Sequence, residues 1–492
     1  MSKIKNKEFV FLLLITLLGA VFRFWQLGQH SLWLDELATW HSTSRATIAE
    51  MWKIHSSIEL TPPPYFFAQF LFARFVDQSE FGVRLPVAIY GTLAIPMMFL
   101  FVRRAFNPAA GLVAALVFAV AYQPIYFSQE ARTYSFTILL TAAAGWSWLR
   151  LRTAVESNQN LRREIVIAIA INTLLALSHY YATVMVFVQG MTFWIGVRRD
   201  RKSFVTWLTV YGTTALLFLP WVVAMTGHWK QDYGWHQAPK LNDVFLYHRW
   251  LFGSASLYGI LSTLAIIAFA ILWRKNRVSA PKKPKFDLIL LLWVIAPFFV
   301  VYVVCLFKPI YSVRYMAVGL VPMYALTGAA VSGVAQFFWR QPKTRFASVL
   351  LILLFTGLGI HETVWARQHY SVPKAEQRRE AIAYIKDELL PRFPNAYILG
   401  IGLFGKPLND YYFERLGVGR VTDFDALGPE NYQDALKDAS AKQAKEIILF
   451  VPGYGVPENR FVQGMLPLRP LLEEKQFHRA GVWVFRNEEL PR

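Results

Sequence analysis

The 492-residue chain holds a single cysteine, Cys305, inside an apolar run. No intrachain disulfide can form, and nothing points to cysteine chemistry. Acidic residues are scarce, 32 Asp and Glu against 51 Lys and Arg, and charged residues of all kinds make up only 17% of the chain. With 55% hydrophobic and 16% aromatic residues, that shortage of charge excludes an ordinary soluble protein of this length. A signal-peptide cleavage site is also lacking. The first apolar run ends in Gly19-Ala20-Val21-Phe22-Arg23, without the small-residue pattern that cleavage needs, so it reads as an uncleaved helix.

What the chain has instead is a series of apolar runs of roughly 18 to 25 residues, each able to cross a bilayer as a helix. They begin near Phe9, Val83, Ala109, Tyr134, Glu164, Tyr181, Phe204, Leu251, Phe286, Tyr315 and Phe346, which makes about eleven spans. The net charge of +19 is concentrated in alternate connections: Lys3 to Lys7, Arg103/Arg104, Arg150 to Arg163, Arg198 to Lys202, Arg274 to Lys285 and Arg340 to Arg345. This is the positive-inside pattern, so the charge follows from topology and requires no nucleic-acid partner. The amino terminus is then cytoplasmic. The opposite loops and the long carboxy-terminal segment lie outside, and the protein is expected in the inner (plasma) membrane with its chemistry on the outer face.

On that face stands Ser31-Leu32-Trp33-Leu34-Asp35-Glu36-Leu37, two adjacent carboxylates among aromatic and aliphatic residues just past the first span. Acidic groups at membrane depth mark a substrate path or a catalytic site; the competing reading is a solvated loop pair. The loop that carries them, about 29–81, is too long for a mere connection. Thr47-Ile48-Ala49-Glu50 reads as a capping box at the start of a short interfacial helix, and Thr61-Pro62-Pro63-Pro64-Tyr65 precedes a second one.

Further outer-end residues follow: Arg84-Leu85-Pro86, the charged turn Gln129-Glu130-Ala131-Arg132-Thr133-Tyr134, His179-Tyr180-Tyr181, and Lys308-Pro309-Ile310-Tyr311-Ser312-Val313-Arg314-Tyr315. Glu130 and Arg132 stand so near hydrocarbon that each calls for a partner. Arg84 can be an interfacial anchor, and His179 either a hydrogen-bonded structural residue or a ligand. The loop from His228 to Arg249 mixes aromatics with cations, as a sugar or phosphate site would, or an aromatic belt.

Beyond about Tyr370 the pattern becomes that of a small α/β domain, with a helix near 374–389 and strands near 396–399, 446–451 and 481–485. Domain limits of 1–369 and 370–492 follow. Gly400-Ile401-Gly402-Leu403-Phe404-Gly405 matches a dinucleotide fingerprint, with Asp423 and Asp425 about twenty residues on. A lone fingerprint on the face of the membrane where nicotinamide cofactors are not supplied is set aside, and neither nicotinamide nor flavin is expected.

An outer-face enzyme with these parts suits glycosyl transfer from a polyprenyl-phosphate sugar. A phosphate leaves as a stable anion, so cations must hold it, and one carboxylate suffices to take the acceptor's proton. Neighbouring side chains point in different directions whether the backbone is helical or extended. Asp35 is therefore assigned as the base, and Glu36 to orienting a partner, contacting the donor or holding a metal. A carboxylate pair is compatible with a divalent ion but lacks a defined ligand set.

The order of Leu-Trp-Leu-Asp-Glu, Thr-Pro-Pro-Pro-Tyr, Arg-Leu-Pro, Gln-Glu-Ala-Arg-Thr-Tyr, His-Tyr and Lys-Pro-Ile-Tyr-Ser-Val-Arg-Tyr resembles the family 39 glycosyltransferases of the GT-C fold. These include protein O-mannosyltransferases and lipid A aminoarabinose transferases. The resemblance runs from about Phe9 to Leu326. It implies a polytopic α-helical GT-C membrane protein that transfers a polyprenyl-phosphate-linked sugar, with inversion, to an extracytoplasmic lipid, glycan or protein. It also implies that Asp35 occupies the position of the family's catalytic acidic residue. Arg84, Glu130, Arg132, Tyr134, His179, Tyr180, Lys308, Arg314 and Tyr315 are the candidates for binding the donor. Where the aminoarabinose transferases carry a lysine before the paired prolines, this chain has Thr61, so one phosphate ligand is absent there. A lipid-linked sugar flippase and a glycan polymerase or ligase are the alternatives. A transporter is expected to place ionisable residues near the bilayer midplane in broken helices, whereas these lie at outer helix ends.

Overall fold

One proline sets a sharp bend between apolar helices, and small residues decide how closely the helices approach one another. The computed structural model describes residues 5–59, 61–157, 160–226, 240, 242–253, 257–277, 286–402, 406–419, 421–425, 431–453 and 460–488. Two compact units emerge. One comprises Met1–Trp25, Glu59–Phe72 and Arg84–His369; the other comprises Gln26–Ile58, Ala73–Val83 and Tyr370–Arg492.

The first unit is helical. Among the described residues, five helices are long and apolar enough to cross a membrane: Glu80–Ala105, Arg201–Thr226, Phe286–Cys305, Val313–Trp339 and Pro342–Ala366. The bent pair Pro108–Val120 and Tyr122–Ser128 makes a sixth if taken as one span. The count of eleven is not reached by this measure, because several of the apolar runs form shorter or broken helices. Arg162–Ala176 has 15 residues and Tyr180–Thr192 has 13, with the turn at 177–179 between them. The 61° bend after Val120 has its cause in Pro124, which has no N–H for the Val120 carbonyl and would clash with it in a continuous helix.

At the centre lies Leu320–Trp339, whose side chains from Leu320 to Ser332 are all buried. Its partner is the alanine-rich helix Pro108–Val120, also buried along most of its length. Small residues let these backbones meet: a Cβ on Gly328 would stand 2.2 Å from Cα of Ala114. Phe118 meets Tyr324 edge-on at 6.0 Å, and the Tyr324 hydroxyl donates to the Leu251 carbonyl at 2.9 Å. Arg201–Thr226, in contrast, exposes Phe204, Leu208, Leu216, Leu217, Leu219 and Val223, a surface suited to hydrocarbon.

The second unit is built on a five-stranded sheet of order β2-β1-β3-β5-β4. Its strands are β1 Tyr397–Gly402, β2 Val421–Asp425, β3 Glu446–Pro452, β4 Leu471–Phe477 and β5 Ala480–Arg486. β1 runs parallel to β2 and β3, and β5 runs antiparallel to β3 and β4. Leu399, Ile401, Ile447, Leu449, Trp483 and Phe485 form its core. β1, β3 and β5 lie where strands are expected from sequence; β4, with Glu473, Glu474 and Lys475 on a sheet edge, lacks the apolar run that marks a buried strand. The end of the Gly400–Gly405 fingerprint, residues 403–405, lies outside the described residues, as does most of the His228–Arg249 loop.

The same unit holds two helices of the long loop at about 29–81, Leu34–Thr43 and Ile48–Ile58. The capping box expected at Thr47 forms: Glu50 N–H donates to Thr47 Oγ1 at 3.2 Å, and Glu50 Oε2 accepts from the N–H groups of Ala46 and Thr47 at 3.1 and 3.2 Å.

The packing of Gly328 on Ala114 yields a first prediction. Gly328→Val forces backbone against backbone, and overpacking of this kind costs about 1–3 kcal/mol or more. A thermal scan of purified protein should show a lower Tm, whereas Gly357→Val, at a glycine with no atom near its Cβ position, should leave Tm within a degree or two of wild type. Equal Tm values for the two variants would contradict this account of the helix contact.

Candidate active site

One end of the first unit is organised by helix ends that need capping. The break after Val120 leaves carbonyls without intrahelical partners. Arg23, fully buried, turns its guanidinium to them, Nη1 donating to Ala119 O at 2.8 Å and also to the Gly19 carbonyl of its own helix at 2.9 Å. The Gln129 amide in turn donates to the carbonyls of Trp25 at 2.7 Å and Arg23 at 3.1 Å, closing the end of the helix Asn6–Phe24. These bonds fix the turn that carries Glu130 and Arg132.

Two further bonds link that turn to the segment around 179, and that segment in turn to the one around 310. Thr133 Oγ1 donates to the Ser178 carbonyl at 2.7 Å, and the Tyr181 hydroxyl donates to the Ile310 carbonyl at 2.7 Å. The three motifs that sequence reading picks out separately, around 130, 179 and 310, are thus brought together.

Glu130 and Arg132 each have a partner from another segment. Arg314 binds Glu130 through Nη2, while Arg132 binds Glu59 with both terminal nitrogens, Nη1 donating to Oε2 at 2.9 Å. Thr61 Oγ1 also donates to Glu59 Oε1 at 2.8 Å, so the residue standing where the aminoarabinose transferases carry a lysine serves the carboxylate of an ion pair. Glu59 escaped the sequence reading, although an acidic residue among apolar neighbours just before the proline run carries the same signal as Asp35.

The Arg314 guanidinium lies over the Tyr134 ring at 5.4 Å, and the His179 ring lies 5.0 Å from Tyr315, 5.7 Å from Tyr134 and 5.8 Å from Tyr180. Of the remaining candidates in this unit, Arg84 is buried near the start of Glu80–Ala105, and Lys308 is half-buried on the turn two residues before Ile310.

His179 is 5% exposed and holds its pKa down near 3, first through burial and then through Arg132 and Arg314, with Glu59 opposing. Its Nδ1 accepts the Tyr181 N–H at 3.3 Å, as N-cap of Tyr180–Thr192. That donor requires an unprotonated Nδ1, so the ring is neutral with its proton on Nε2.

Asp35 and Glu36 belong to the second unit, in the first turn of Leu34–Thr43. Glu36 is 1% exposed and accepts the Trp33 N–H through Oε2 at 3.3 Å. It therefore caps the helix that carries Asp35, which is half-buried. No group of three or more His, Cys, Asp and Glu side chains suited to a metal ion occurs among the described residues.

A helical unit with a charged cluster at helix ends, together with a unit built on a five-stranded sheet, is the combination found in the GT-C fold. Residues 61–223 match the family model described as dolichyl-phosphate-mannose-protein mannosyltransferase. That stretch includes Arg84, Glu130, Arg132, Tyr134, His179 and Tyr180, and excludes Asp35 and Arg314. No curated protein matches the chain.

Among solved structures, ArnT from Cupriavidus metallidurans in the apo state aligns with a TM-score of 0.59, covering 99% of this chain and 100% of its own at 14% identity. With undecaprenyl phosphate bound, the same protein gives 0.54 at the same identity and coverage. The archaeal oligosaccharyltransferase AglB from Archaeoglobus fulgidus, in complex with an inhibitory peptide and a dolichol-phosphate, gives 0.59 over 97% of this chain and 74% of its own at 11% identity. The chain shares the fold of these proteins.

The neutral His179 yields a second prediction. Its folded pKa lies below the ordinary value of 6.5, so between those limits the unfolded chain binds a proton that the folded protein does not. Stability present at pH 7 is lost as pH falls below 6.5, by about 2 kcal/mol at pH 5 given 1.36 kcal/mol per pH unit. His179→Gln, neutral at every pH, should show a smaller fall in Tm between pH 7 and 5 than wild type; an equal fall would mean that His179 is already protonated in the folded protein.

Proposed function

We propose that the chain is an integral-membrane glycosyltransferase that moves a sugar from a polyprenyl-phosphate donor to an acceptor on the outer face of the membrane, with inversion. The observation that carries this reading is the pair of carboxylate-held arginines, Arg132 on Glu59 and Arg314 on Glu130, beside a neutral histidine. Charges are costly at apolar helix ends and are retained where they serve a ligand. A guanidinium offers five N–H donors in a rigid fork, so it can serve a carboxylate and a phosphate together. Glu59 and Glu130 then act as orienting groups, and Tyr134, His179, Tyr180 and Tyr315 line the donor's sugar and phosphate, with Arg84 and Lys308 supplementing the positive charge.

In the reaction, the acceptor oxygen or nitrogen attacks the anomeric carbon as the bond to the phosphate oxygen breaks. Polyprenyl phosphate departs as an anion, so no acid is needed to protonate it. Asp35 takes the acceptor's proton as general base. Its place in the first turn of a helix, where the dipole favours negative charge, supports that role, and a single displacement gives inversion. Glu36, engaged with the Trp33 backbone, is assigned to holding the Asp35 helix. The carboxy-terminal sheet domain is placed on the outer face with the acceptor.

Three variants test the reading. Asp35→Asn keeps size and hydrogen bonding and should lower turnover at least about 10²-fold while donor binding persists. Arg132→Ala and Arg314→Ala should each weaken donor binding about ten- to hundredfold, the loss of a charge-assisted hydrogen bond worth roughly 1.5–3 kcal/mol. Mass spectrometry of glycans, glycolipids and glycoproteins from cells with and without the protein should show one sugar missing, and thereby name the acceptor for the assay. An Asp35→Asn protein that transfers sugar at the wild-type rate would end the general-base mechanism, and unchanged donor binding in both arginine variants would move the phosphate anchor to Arg84 and Lys308.

A further inference from the structure

Within the second unit, the three residues that lead into the Asp35 helix are each held by a named hydrogen bond. The Ser31 hydroxyl donates to Glu380 Oε2 at 2.5 Å and accepts the Arg379 N–H at 3.2 Å. The Leu32 N–H donates to the Tyr412 hydroxyl at 2.6 Å, and the Trp33 N–H to Glu36. Ser31, Leu32 and Tyr412 are all buried. The other arm of the outer loop is held by the same groups: Glu80 Oε1 accepts from Arg379 Nη1 at 3.0 Å and from the Tyr412 hydroxyl at 3.3 Å. Only the carboxy-terminal segment supplies Arg379, Glu380 and Tyr412, and their bonds converge on the two or three residues before Leu34, where the helix starts.

We propose that Tyr412, with Arg379 and Glu380, forms a clasp by which the carboxy-terminal sheet domain positions the carboxylate of Asp35. These are positioning residues, acting through the Ser31 hydroxyl and the Leu32 backbone. The proposal rests on the reading of Asp35 as the base and gives the sheet domain a part in turnover. A buried hydroxyl that both accepts from an entry-strand N–H and donates to Glu80 fixes the direction in which the chain enters the helix. Apolar packing alone could anchor the loop but would leave that direction free, and small errors in placing a catalytic group lower turnover steeply.

The test uses the full-length protein in lipid nanodiscs. Tyr412→Phe removes the hydroxyl and keeps the ring, Arg379→Gln removes the charge, Arg379→Lys restores it, and Arg392→Ala, at an exposed surface pair with Glu473, serves as control. In Tyr412→Phe, hydrogen exchange in a peptide spanning 31–37 should quicken about three- to tenfold, as loss of one buried hydrogen bond requires, while peptides of β3 and β5 keep their wild-type exchange. Turnover should fall roughly ten- to hundredfold with the KM for donor unchanged. Arg379→Gln should behave likewise, Arg379→Lys should recover part of the loss, and Arg392→Ala should match wild type.

Wild-type exchange at 31–37 in both Tyr412→Phe and Arg379→Gln would overturn the clasp. Faster exchange with wild-type turnover, in a protein that Asp35→Asn inactivates, would overturn the positioning role alone. Full turnover in Asp35→Asn would instead remove the catalytic reading of Asp35, and the positioning role with it.

Discussion

A helix that breaks inside an apolar surrounding leaves carbonyl groups in need of donors, and one end of the helical unit is arranged around meeting that need. Pro124 forces the break after Val120, and Arg23 supplies N–H groups to the carbonyls there, among them Ala119 at 2.8 Å. The Gln129 amide then closes the first helix through the Trp25 and Arg23 carbonyls. Everything mounted on the 129–134 turn inherits its position from these bonds. Backbone satisfaction, the strictest demand that hydrocarbon makes on a protein, thus sets the frame for the charged cluster.

That cluster handles charge by pairing. Arg132 and Glu59, and Arg314 and Glu130, come from well-separated segments, so each pair also fastens two elements together. Breaking one partner of a buried pair leaves the other uncompensated, and the pairs therefore depend on one another's neighbourhood. His179 is held neutral in the same surroundings, chiefly by burial and next by the two arginines. A ring that cannot gain a proton near neutrality adds no third positive charge beside them.

The second unit unites parts that are remote in sequence. Loop residues 26–58 and 73–83 group with the carboxy-terminal segment, and the link is polar: Tyr412, Arg379 and Glu380 bind backbone and side chains at 28–32 and 80. Sequence reading drew its domain limit at about 370 because the change from apolar runs to a mixed pattern is a local signal. A loop that folds back on a segment 350 or so residues later leaves no such signal.

Much was legible in the residues themselves. Apolar run length and the alternation of basic loops marked a helical membrane chain, the Thr47–Glu50 capping box formed as written, and β1, β3 and β5 followed from short β-branched and aromatic runs, because each of these depends on neighbours within a few residues. The charged positions at helix ends were also visible, since ionisable groups stand out against hydrocarbon. Partners were not. Sequence could show that Glu130 and Arg132 needed counterions; only the packing of helix ends decided that these are Arg314 and Glu59. The reason is physical: secondary structure and membrane character come from local periodicity and solvent preference, which a chain carries in its order of residues, whereas an ion pair between segments 73 or 184 residues apart exists only once close-packed helices have brought those segments together.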